Sequence, residues 1–405
     1  MTRSVDLAMT LPPGAFAIPP RTGTRTDGWE GLDDILAIRL DAMGDVLMTT
    51  PAFRAIRASA RGARLTLLTS SAGAAVARLV PELHEVIAWD PPWMPGAAAG
   101  PAADRAFVEA LAARRFDAAI VFSVHTQSPL PAALLARLAG IPRVLAHARE
   151  TPYGLVTDWV PEPEPGEATR HEVRRQLDLV GHVGFTTDDE RLSLRVPPDA
   201  MRRLRDEVLP SIGIRPGDGQ PWLVVHPGAS APSRRYRPDG YAAAVGRLVR
   251  EDGVRAVFTG STGEVPLVEE IRGAMGEPSL SLAGRLDLGE LCALLAVAPL
   301  LIANNTGPVH VAAALGTPVV DLYALTNPQH TPWMTPSRVL NVDVPCAGCR
   351  RSVCPLGHQA CLSLVHPERV VEAARELLAA FPVHGSSAGV AASTGPRTPA
   401  RTVAA

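Results

Sequence analysis

The stretch "ILAIRLDAMGDVLMTTPA", residues 35–52, carries the clearest structural signal in the chain. Four apolar residues precede a short polar turn with one glycine, Gly44, and a helical run follows. This order predicts a strand, a tight turn and a helix, the unit of nucleotide-binding α/β folds. Such a turn usually holds a phosphate, yet this one carries Asp41 and Asp45. Because a carboxylate repels phosphate, the turn itself is a poor phosphate site.

The same alternation of short apolar runs and longer amphipathic runs continues outward from this stretch. It predicts βαβ units and parallel sheets that are covered on both faces. The predicted strands are residues 35–40, 65–70, 85–89, 118–123, 143–148, 222–228, 255–261, 280–284, 300–306 and 319–324. The segment "WVPEPEPGE", residues 159–167, is predicted to be a loop, with a helix from 167 to about 183.

The predicted fold class is therefore α/β, with two Rossmann-like doubly wound domains facing a central cleft, where a ligand site is expected. The N-terminal domain is predicted to span residues 34–195 and the C-terminal domain residues 196–382. A closing helix is predicted at 365–381. The segments 1–33 and 383–405 lack periodicity, are rich in small and polar residues, and are predicted to be disordered.

Composition excludes several classes of protein. Lys and Arg number 39 against 41 Asp and Glu, so no overall basic field favours nucleic acid. The longest apolar run, "LCALLAVAPLLIA", contains Pro299 and is shorter than the ~20 residues of a membrane span. The N-terminal segment is broken by Asp6 and by proline pairs, unlike a secretory signal. These features predict a cytoplasmic protein without a nucleic-acid partner.

The turn in "ANNTGPVHVAAALG", residues 303–316, is the best predicted phosphate site. A strand runs into Asn305, Thr306 and Gly307, and a helix opens without any acid in the turn. Free backbone N–H groups and the helix dipole would suit a pyrophosphate. The alternative is a core helix that Thr306 or Asn305 caps.

Two further turns follow predicted strands of the second half. In "HPGASAPSRRYRP", residues 226–238, small residues such as Ser230 allow close approach, and arginines including Arg234 match phosphate oxygens. The alternative is a solvated basic loop. In "FTGSTGEVPLVEEI", residues 258–271, Gly260 precedes Glu264, whose carboxylate could accept hydrogen bonds from a ribose. The alternative is a first-turn helix acid.

Asp45 in the opening turn has two interpretations. It sits where it could cap the following helix. It could also act as a base that faces the nucleotide held by the other domain. Its ordinary pKa of ~3.9 keeps it ionised at neutral pH, and a weak base still takes a proton that leaves in the transition state.

Four of the five cysteines lie in "CAGCRRSVCPLGHQAC", residues 346–361. Four thiolates can make a closed structural zinc site, although this spacing is not that of a standard zinc ribbon. Free thiols or a disulfide are the alternatives. The residues of this possible zinc site are Cys346, Cys349, Cys354 and Cys361.

Taken in order, these motifs resemble the ADP-heptose:lipopolysaccharide heptosyltransferases, glycosyltransferase family 9. The resemblance covers most of residues 35–380 and implies the GT-B architecture. It implies a C-terminal domain for the nucleotide-sugar donor, an N-terminal domain for the acceptor, and an inverting reaction that needs no catalytic metal. The resemblance implies a nucleotide-diphosphate sugar donor, ADP-heptose in the named family, and a glycan or lipid-linked saccharide acceptor in lipopolysaccharide core or related surface-glycan synthesis. Transient association with the inner membrane is the most that the resemblance implies.

Site residues carry over from the family position by position. Asp45 matches the proposed general base, and Glu264 matches the acid at the donor ribose. Arg234 stands where the family has a phosphate-contacting Lys, and Asn305 stands where the family usually has Asp, so this chain lacks the usual negative charge there. The donor side implied by the resemblance comprises Ser230, Arg234, Gly260, Glu264, Asn305, Thr306, Gly307 and His310. The acceptor side comprises Arg39, Gly44 and His125. The alternatives are a nucleotide-sugar epimerase of the same architecture and a non-catalytic nucleotide-sugar-binding relative.

Overall fold

The computed structural model of the protein describes residues 28–94, 100–164, 169–215 and 218–381. The predicted disordered tail, and the predicted extension up to residue 27, lie outside these ranges. Residues 28–33 of that extension are described, and Trp29 is buried with its ring edge-on to Phe185 at 5.9 Å. This short segment therefore packs onto the core, because the indole supplies apolar surface that it buries there.

Within the described ranges, twelve strands form two sheets of six. The strands are β1 (Asp34–Arg39), β2 (Arg64–Thr69), β3 (Glu85–Ala88), β4 (Ala118–Val121), β5 (Val144–Ala148), β6 (Asp158–Pro161), β7 (Trp222–His226), β8 (Arg255–Phe258), β9 (Leu280–Ser281), β10 (Leu301–Asn304), β11 (Val319–Leu322) and β12 (Ser337–Leu340). All neighbouring strands pair in parallel.

Thirteen α-helices connect and cover the strands in the described part of the chain. They are α1 (Met43–Ser59), α2 (Ser71–Ala77), α3 (Pro101–Ala113), α4 (Leu130–Leu138), α5 (Glu172–Gly181), α6 (Pro198–Arg203), α7 (Leu209–Ser211), α8 (Pro238–Asp252), α9 (Val265–Met275), α10 (Leu288–Val297), α11 (Gly307–Leu315), α12 (Ala360–Ser363) and α13 (Pro367–Ala380). Short 3-10 turns lie at Pro232–Arg234 and Thr262–Glu264, and a π-helical turn at Leu204–Val208 joins α6 to α7.

The strand order confirms the predicted fold class. The first sheet runs β3-β2-β1-β4-β5-β6 and the second β12-β11-β10-β7-β8-β9. Each is a doubly wound sheet whose order reverses between its first and fourth strands, so a crevice opens at the carboxyl ends there. β1 and β4 flank the reversal in one sheet, and β7 and β10 flank it in the other. The central strands are almost entirely buried, as parallel strands covered on both faces must be.

The sequence analysis did not predict two of the strands. β6 lies inside the stretch predicted as the start of a loop, and β12 follows the last predicted strand. Both are edge strands. β6 ends at Pro161, which an edge strand tolerates because one side of it has no ladder to supply with an N–H donor. The helix predicted from 167 begins at Glu172, with His171 as its N-cap.

The two halves share a continuous apolar core. Buried side chains of α1, among them Phe53 and Ile56, belong to the same cluster as Leu294 of α10 and Val309 of α11. α1 packs on both α5 and α11. The boundary predicted at residue 195 stays a prediction, although one sheet precedes it and the other follows it. No helix among the described residues is long and apolar enough to cross a bilayer.

Candidate active site

The turn between β1 and α1 supplies the first element of the site. It lies at the carboxyl end of a strand that flanks the reversal of strand order. The N-cap of α1 is Ala42, and no side chain caps the helix. The Asp45 carboxylate instead accepts a hydrogen bond from Arg39 Nη2 at 3.1 Å, and its side chain keeps 18% exposure. Asp45 is therefore not a helix cap, and its side chain is partly exposed.

Arg39 lies beneath this turn and joins three carboxylates. Its Nη2 is 3.1 Å from Asp45 and 2.9 Å from Glu172 Oε1, and its Nε is 3.0 Å from Asp41. The guanidinium is fully buried, so Arg39 supports the acids and does not itself reach a ligand in this structure. Its predicted place on the acceptor side stays a prediction. Glu172 is a site residue that the sequence analysis missed.

The three carboxylates differ in their proton affinity. Burial alone would raise the pKa of Glu172, but the charges of Arg39 and Arg175 outweigh it and lower that pKa to about 2. Burial raises the pKa of Asp41 to about 6 against the attraction of Arg39. Burial also raises the pKa of Asp45, and the nearby charge of Glu172 adds to that effect. A raised pKa makes Asp45 a better proton acceptor than a solvated Asp.

The first turns of α1 and α11 meet across the two halves. A Cβ atom added to Gly44 would lie 2.6 Å from His310 Cδ2, and one added to Gly307 would lie 2.9 Å from Met43 Sδ. Both glycines are thus needed for close helix approach, a reason the sequence analysis did not give. Burial lowers the pKa of His310 to about 3, so its imidazole is neutral at pH 7. The contact between the first turns of α1 and α11 therefore holds Asp45 on one side and the turn before α11 on the other.

His125 follows β4, the other strand at the reversal of the first sheet. Its ring is buried, and neither ring nitrogen has a hydrogen-bond partner among the residues that the structure describes. Burial lowers the pKa of this imidazole, with Arg350 and Arg175 adding to the effect. The neighbouring Gln127 donates to Asp41 Oδ1 at 2.8 Å, so this loop adjoins the Asp41–Asp45 turn. Its predicted role toward an acceptor stays a prediction.

The turn between β10 and α11 is not capped by a side chain. Thr306 is the N-cap residue, but its hydroxyl donates to the Asn304 carbonyl at 3.2 Å. The Asn305 amide donates to Asp321 Oδ2 at 3.0 Å and to the His330 carbonyl at 2.8 Å. The alternative of a side-chain-capped helix is therefore wrong. The start of α11 keeps the electropositive character that suits an anion.

Arg234 is the arginine of its loop that remains available. Arg235 donates to Ala229 O at 2.8 Å, and Arg237 pairs with Asp239. In the described ranges, no carboxylate lies within ion-pair distance of Arg234. Its positive charge lowers the pKa of Asp45 in one half and of His310 in the other. Of the three arginines of this loop, Arg234 is thus the one whose side chain has neither a hydrogen bond nor an ion pair to the described residues.

Asn304 is a second residue that the sequence analysis missed. Its side chain accepts from Tyr236 N at 2.9 Å and donates to Pro227 O at 2.6 Å. These two bonds tie the Arg234 loop to the end of β10. A polar residue at the end of a buried strand was the only sequence signal for this role.

Glu264 caps the helix that follows it, and its predicted contact with a ribose stays a prediction. Its Oε2 accepts from Ser261 N at 2.7 Å and Ser261 Oγ at 2.9 Å, a capping box at the start of the helix. Its carboxylate also lies against Gly228, where an added Cβ would come within 2.0 Å of Oε1. Gly260 lies directly behind Glu264, and Ser230 is exposed at the tip of the neighbouring loop. The turns after β7 and β8 therefore converge on this carboxylate.

The four clustered cysteines are partly exposed free thiols. Backbone N–H groups after Cys354, first that of Gln359, hold the pKa of its thiol below the usual range. Burial raises the pKa of the Cys361 thiol. Within the described ranges, no group of three or more His, Cys, Asp or Glu residues is arranged to hold a metal ion. The structure thus gives the predicted zinc site no support, and that site stays a prediction.

Comparison with known proteins places these motifs in a family. Residues 105–360 match the family model of glycosyltransferase family 9 (heptosyltransferase). The lipooligosaccharide heptosyltransferase 2 of Campylobacter jejuni serotype O:2 is 28% identical over 166 residues, which are 40% of this chain and 52% of that protein. The chain thus spans about half the length of that relative. The lipopolysaccharide heptosyltransferase 2 of Escherichia coli K12 is 26% identical over 85% of this chain and 98% of its own length.

A solved structure shares the whole fold. The E. coli ADP-heptose lipopolysaccharide heptosyltransferase II superposes with a TM-score of 0.66 over 86% of this chain and 99% of its own, at 23% identity. At that identity the likeness is one of fold. It supports the two-domain GT-B architecture that the sheet order already indicates.

Proposed function

The chain belongs to glycosyltransferase family 9 (heptosyltransferase), and from this membership we propose that it transfers a heptosyl residue from ADP-heptose to a saccharide acceptor. The acceptor would belong to lipopolysaccharide core or related surface-glycan synthesis. The observation that carries the proposal is the arrangement at the meeting of α1 and α11. A carboxylate with a raised pKa, Asp45, stands near a free cation, Arg234, and an uncapped helix start at Thr306.

The proposed reaction is a single displacement at the anomeric carbon of the donor sugar. The acceptor hydroxyl oxygen forms a bond to the anomeric carbon of the donor sugar while the bond from that carbon to the β-phosphate oxygen breaks. Asp45 takes the hydroxyl proton, and the departing electron pair stays on ADP. Attack from the face opposite the leaving group inverts the anomeric centre. Arg234 and the N–H groups at the start of α11 would stabilise the charge that develops on the diphosphate.

The same geometry divides the binding roles between the two sheets. The turns after β7, β8 and β10 would hold the donor, with Glu264 at the ribose and Arg234 at the phosphates. The turns after β1 and β4 would hold the acceptor beside Asp45. No catalytic metal is needed in this scheme, because Arg234 and the helix start supply the positive charge. Transfer is therefore expected to continue in excess EDTA, whether or not the cysteines bind zinc.

The proposed reaction is placed in the cytoplasm, with transient contact at the inner membrane. Lipopolysaccharide core acceptors are lipid-linked in the best-known relatives, so the acceptor would bring the enzyme to the bilayer. Vesicles that carry such an acceptor should bind the protein more tightly than vesicles without it. Equal binding to both would remove this part of the proposal.

The proposal is tested by mixing the purified protein with ADP-heptose and heptose-free lipooligosaccharide, with UDP-, GDP- and dTDP-sugars as controls. Mass spectrometry of both substrates should show a heptose gained by the acceptor and ADP released. A changed donor without any acceptor requirement would indicate the epimerase alternative. ADP-heptose binding without either product would indicate a non-catalytic relative. Transfer from another nucleotide sugar alone would exclude heptose.

A further inference from the structure

The buried carboxylate of Glu172 is the part of the site that the proposed reaction leaves without a role. It is fully buried at the first position of α5, 133 residues away in sequence from its partner Arg39. An ionised group in such a place is costly unless it is paired and hydrogen-bonded. Its Oε1 accepts from Arg39 Nη2 at 2.9 Å and from Gln176 Nε2 at 2.7 Å. These two hydrogen bonds stabilise the ionised carboxylate of Glu172 in its buried position.

Glu172 and Asp45 share one hydrogen-bond donor. Arg39 Nη2 lies 2.9 Å from Glu172 and 3.1 Å from Asp45. A single guanidinium charge is thus divided between them, and Asp41 takes a further share through Nε. Without Glu172, Asp45 would hold a larger share of that charge. A carboxylate held in a full ion pair is a weaker base, because the neighbouring cation stabilises its ionised form.

The first turn of α5 is fixed by the opposite half of the molecule. The N–H of Glu172 donates to Gln329 O at 3.0 Å, and the ring of His171 contacts Thr331 O at 2.9 Å through Nε2. His171 also packs on Trp333, with ring centroids 4.5 Å apart. The loop between β11 and β12 therefore sets the position of Glu172, and the carbonyl of His330 in that loop accepts from Asn305 at the start of α11.

We propose that Glu172 is a positioning residue for transfer: it holds the Arg39 guanidinium beneath Asp45 and draws its charge away from the base. This inference rests on the proposed function only for the identity of the reaction. The ionised state of Glu172 is maintained by Arg39 and Arg175, whose Nη1 lies 3.9 Å away. The titratable or charged groups that interact with Asp45 or Glu172 are Arg39, Asp41, Arg175, Arg234, His125, His171 and His330, and His310 lies against the adjacent Gly44.

The first test is the pH profile of transfer for Glu172→Gln, which keeps the shape but removes the charge. Asp45 should become a weaker base, so the acidic limb of kcat should move about one pH unit lower. The plateau should fall about three- to tenfold, with little change in KM for the donor. In Glu172→Asp, which keeps the charge, the acidic limb should lie closer to its wild-type pH. The matched control is Glu290→Gln on α10, a buried carboxylate that is paired with Arg203 at 2.7 Å and not with Arg39; it should leave the acidic limb of kcat in place.

The second test needs no transfer activity. The free energy of unfolding is measured against pH for four proteins: the wild type, Asp45→Asn, Glu172→Gln and the double variant. Each protein with Asp45→Asn is compared with the same protein that keeps Asp45. The difference in free energy of unfolding between proteins with and without Asp45 reports the titration of that carboxyl. The midpoint of this titration should lie at lower pH when residue 172 is Gln. An unchanged midpoint would overturn the inference, even if the kcat of Glu172→Gln is low. A shifted midpoint in a protein that transfers no sugar would refute the proposed function and leave the positioning role intact.

Discussion

At the scale of single residues, the site depends on where charges are left free. Arg237 is paired with Asp239 and Arg235 is hydrogen-bonded to its own loop, whereas the charge of Arg234 lowers the pKa of Asp45 and of His310. Asp45 is partly exposed while its neighbour Arg39 is buried. A free cation and an open carboxylate close together are what an inverting transfer needs, one for the leaving diphosphate and one for the incoming hydroxyl.

Arg234→Gln is predicted to weaken ADP binding. A lost hydrogen bond to a charged group costs about 1.5–3 kcal/mol, so the Kd should rise roughly 10- to 150-fold. Isothermal titration calorimetry measures this change. Arg235→Gln is the matched control, because that exposed side chain is bonded to Ala229 in its own loop. Equal losses in both variants would contradict the assignment of Arg234 to the phosphates.

Asp321→Asn is predicted to be more stable than the wild type by a margin that grows as pH rises. Asp321 is fully buried, and burial raises its pKa from 3.8 to about 8 against the hydrogen bond from Asn305. Between these values the folded protein holds a proton that the unfolded chain has lost, so wild-type stability falls as pH rises, by about 1.4 kcal/mol per pH unit at most. Asn removes this loss and still accepts from Asn305.

Chemical denaturation of both proteins from pH 4 to pH 9 measures the difference. The gain of Asp321→Asn over the wild type should grow up to about pH 8 and then level off. A difference that does not change with pH would show that Asp321 is ionised in the folded state throughout this range.

At the scale of elements, the contact between α1 and α11 organises the site. Neither helix has a side-chain cap, and their first turns meet through Gly44, His310, Met43 and Gly307. This contact holds the turn that carries Asp45 against the turn that carries Thr306. The two reacting sides are thus positioned by backbone approach, which only glycine permits at these distances.

Gly44→Ala is predicted to separate the two helices. The added methyl would lie 2.6 Å from His310 Cδ2, and the buried ring has little room to move. Overpacking of this kind costs about 1–3 kcal/mol, which a thermal melt would detect. Gly154→Ala is the control, because no heavy atom lies within 4 Å of its Cβ position. If His310→Ala fails to relieve the cost of Gly44→Ala, the contact is not its cause.

The regular elements were predictable from sequence where apolar runs are long. β1, β4, β7 and β10 are buried on both faces, so each is a clear hydrophobic run followed by a turn. The edge strand β6 was missed because proline and charge mark such strands as loops. Glu172 was missed for a different reason. Nothing in its local sequence shows that its carboxylate meets Arg39, because that contact exists only in the folded chain.

At the scale of the whole molecule, two doubly wound sheets bring their strand-order reversals to one place. The turns after β1 and β4 and the turns after β7 and β10 carry the motifs singled out in the sequence. The family match over residues 105–360 and the shared fold of the E. coli enzyme agree with this arrangement. The proposed function divides the labour between the two halves, with a base on one side and a diphosphate site on the other.

The most direct measurement of this claim compares wild type with Asp45→Asn in heptosyl transfer and in ADP binding. Removal of a general base should lower kcat by about 10²- to 10⁴-fold. The Kd for ADP should stay within about threefold, because Asp45 lies across the contact from the proposed donor site. Loss of transfer with ADP binding retained is the predicted result. Transfer that persists within a few-fold of wild type would contradict the account and move the base to another residue.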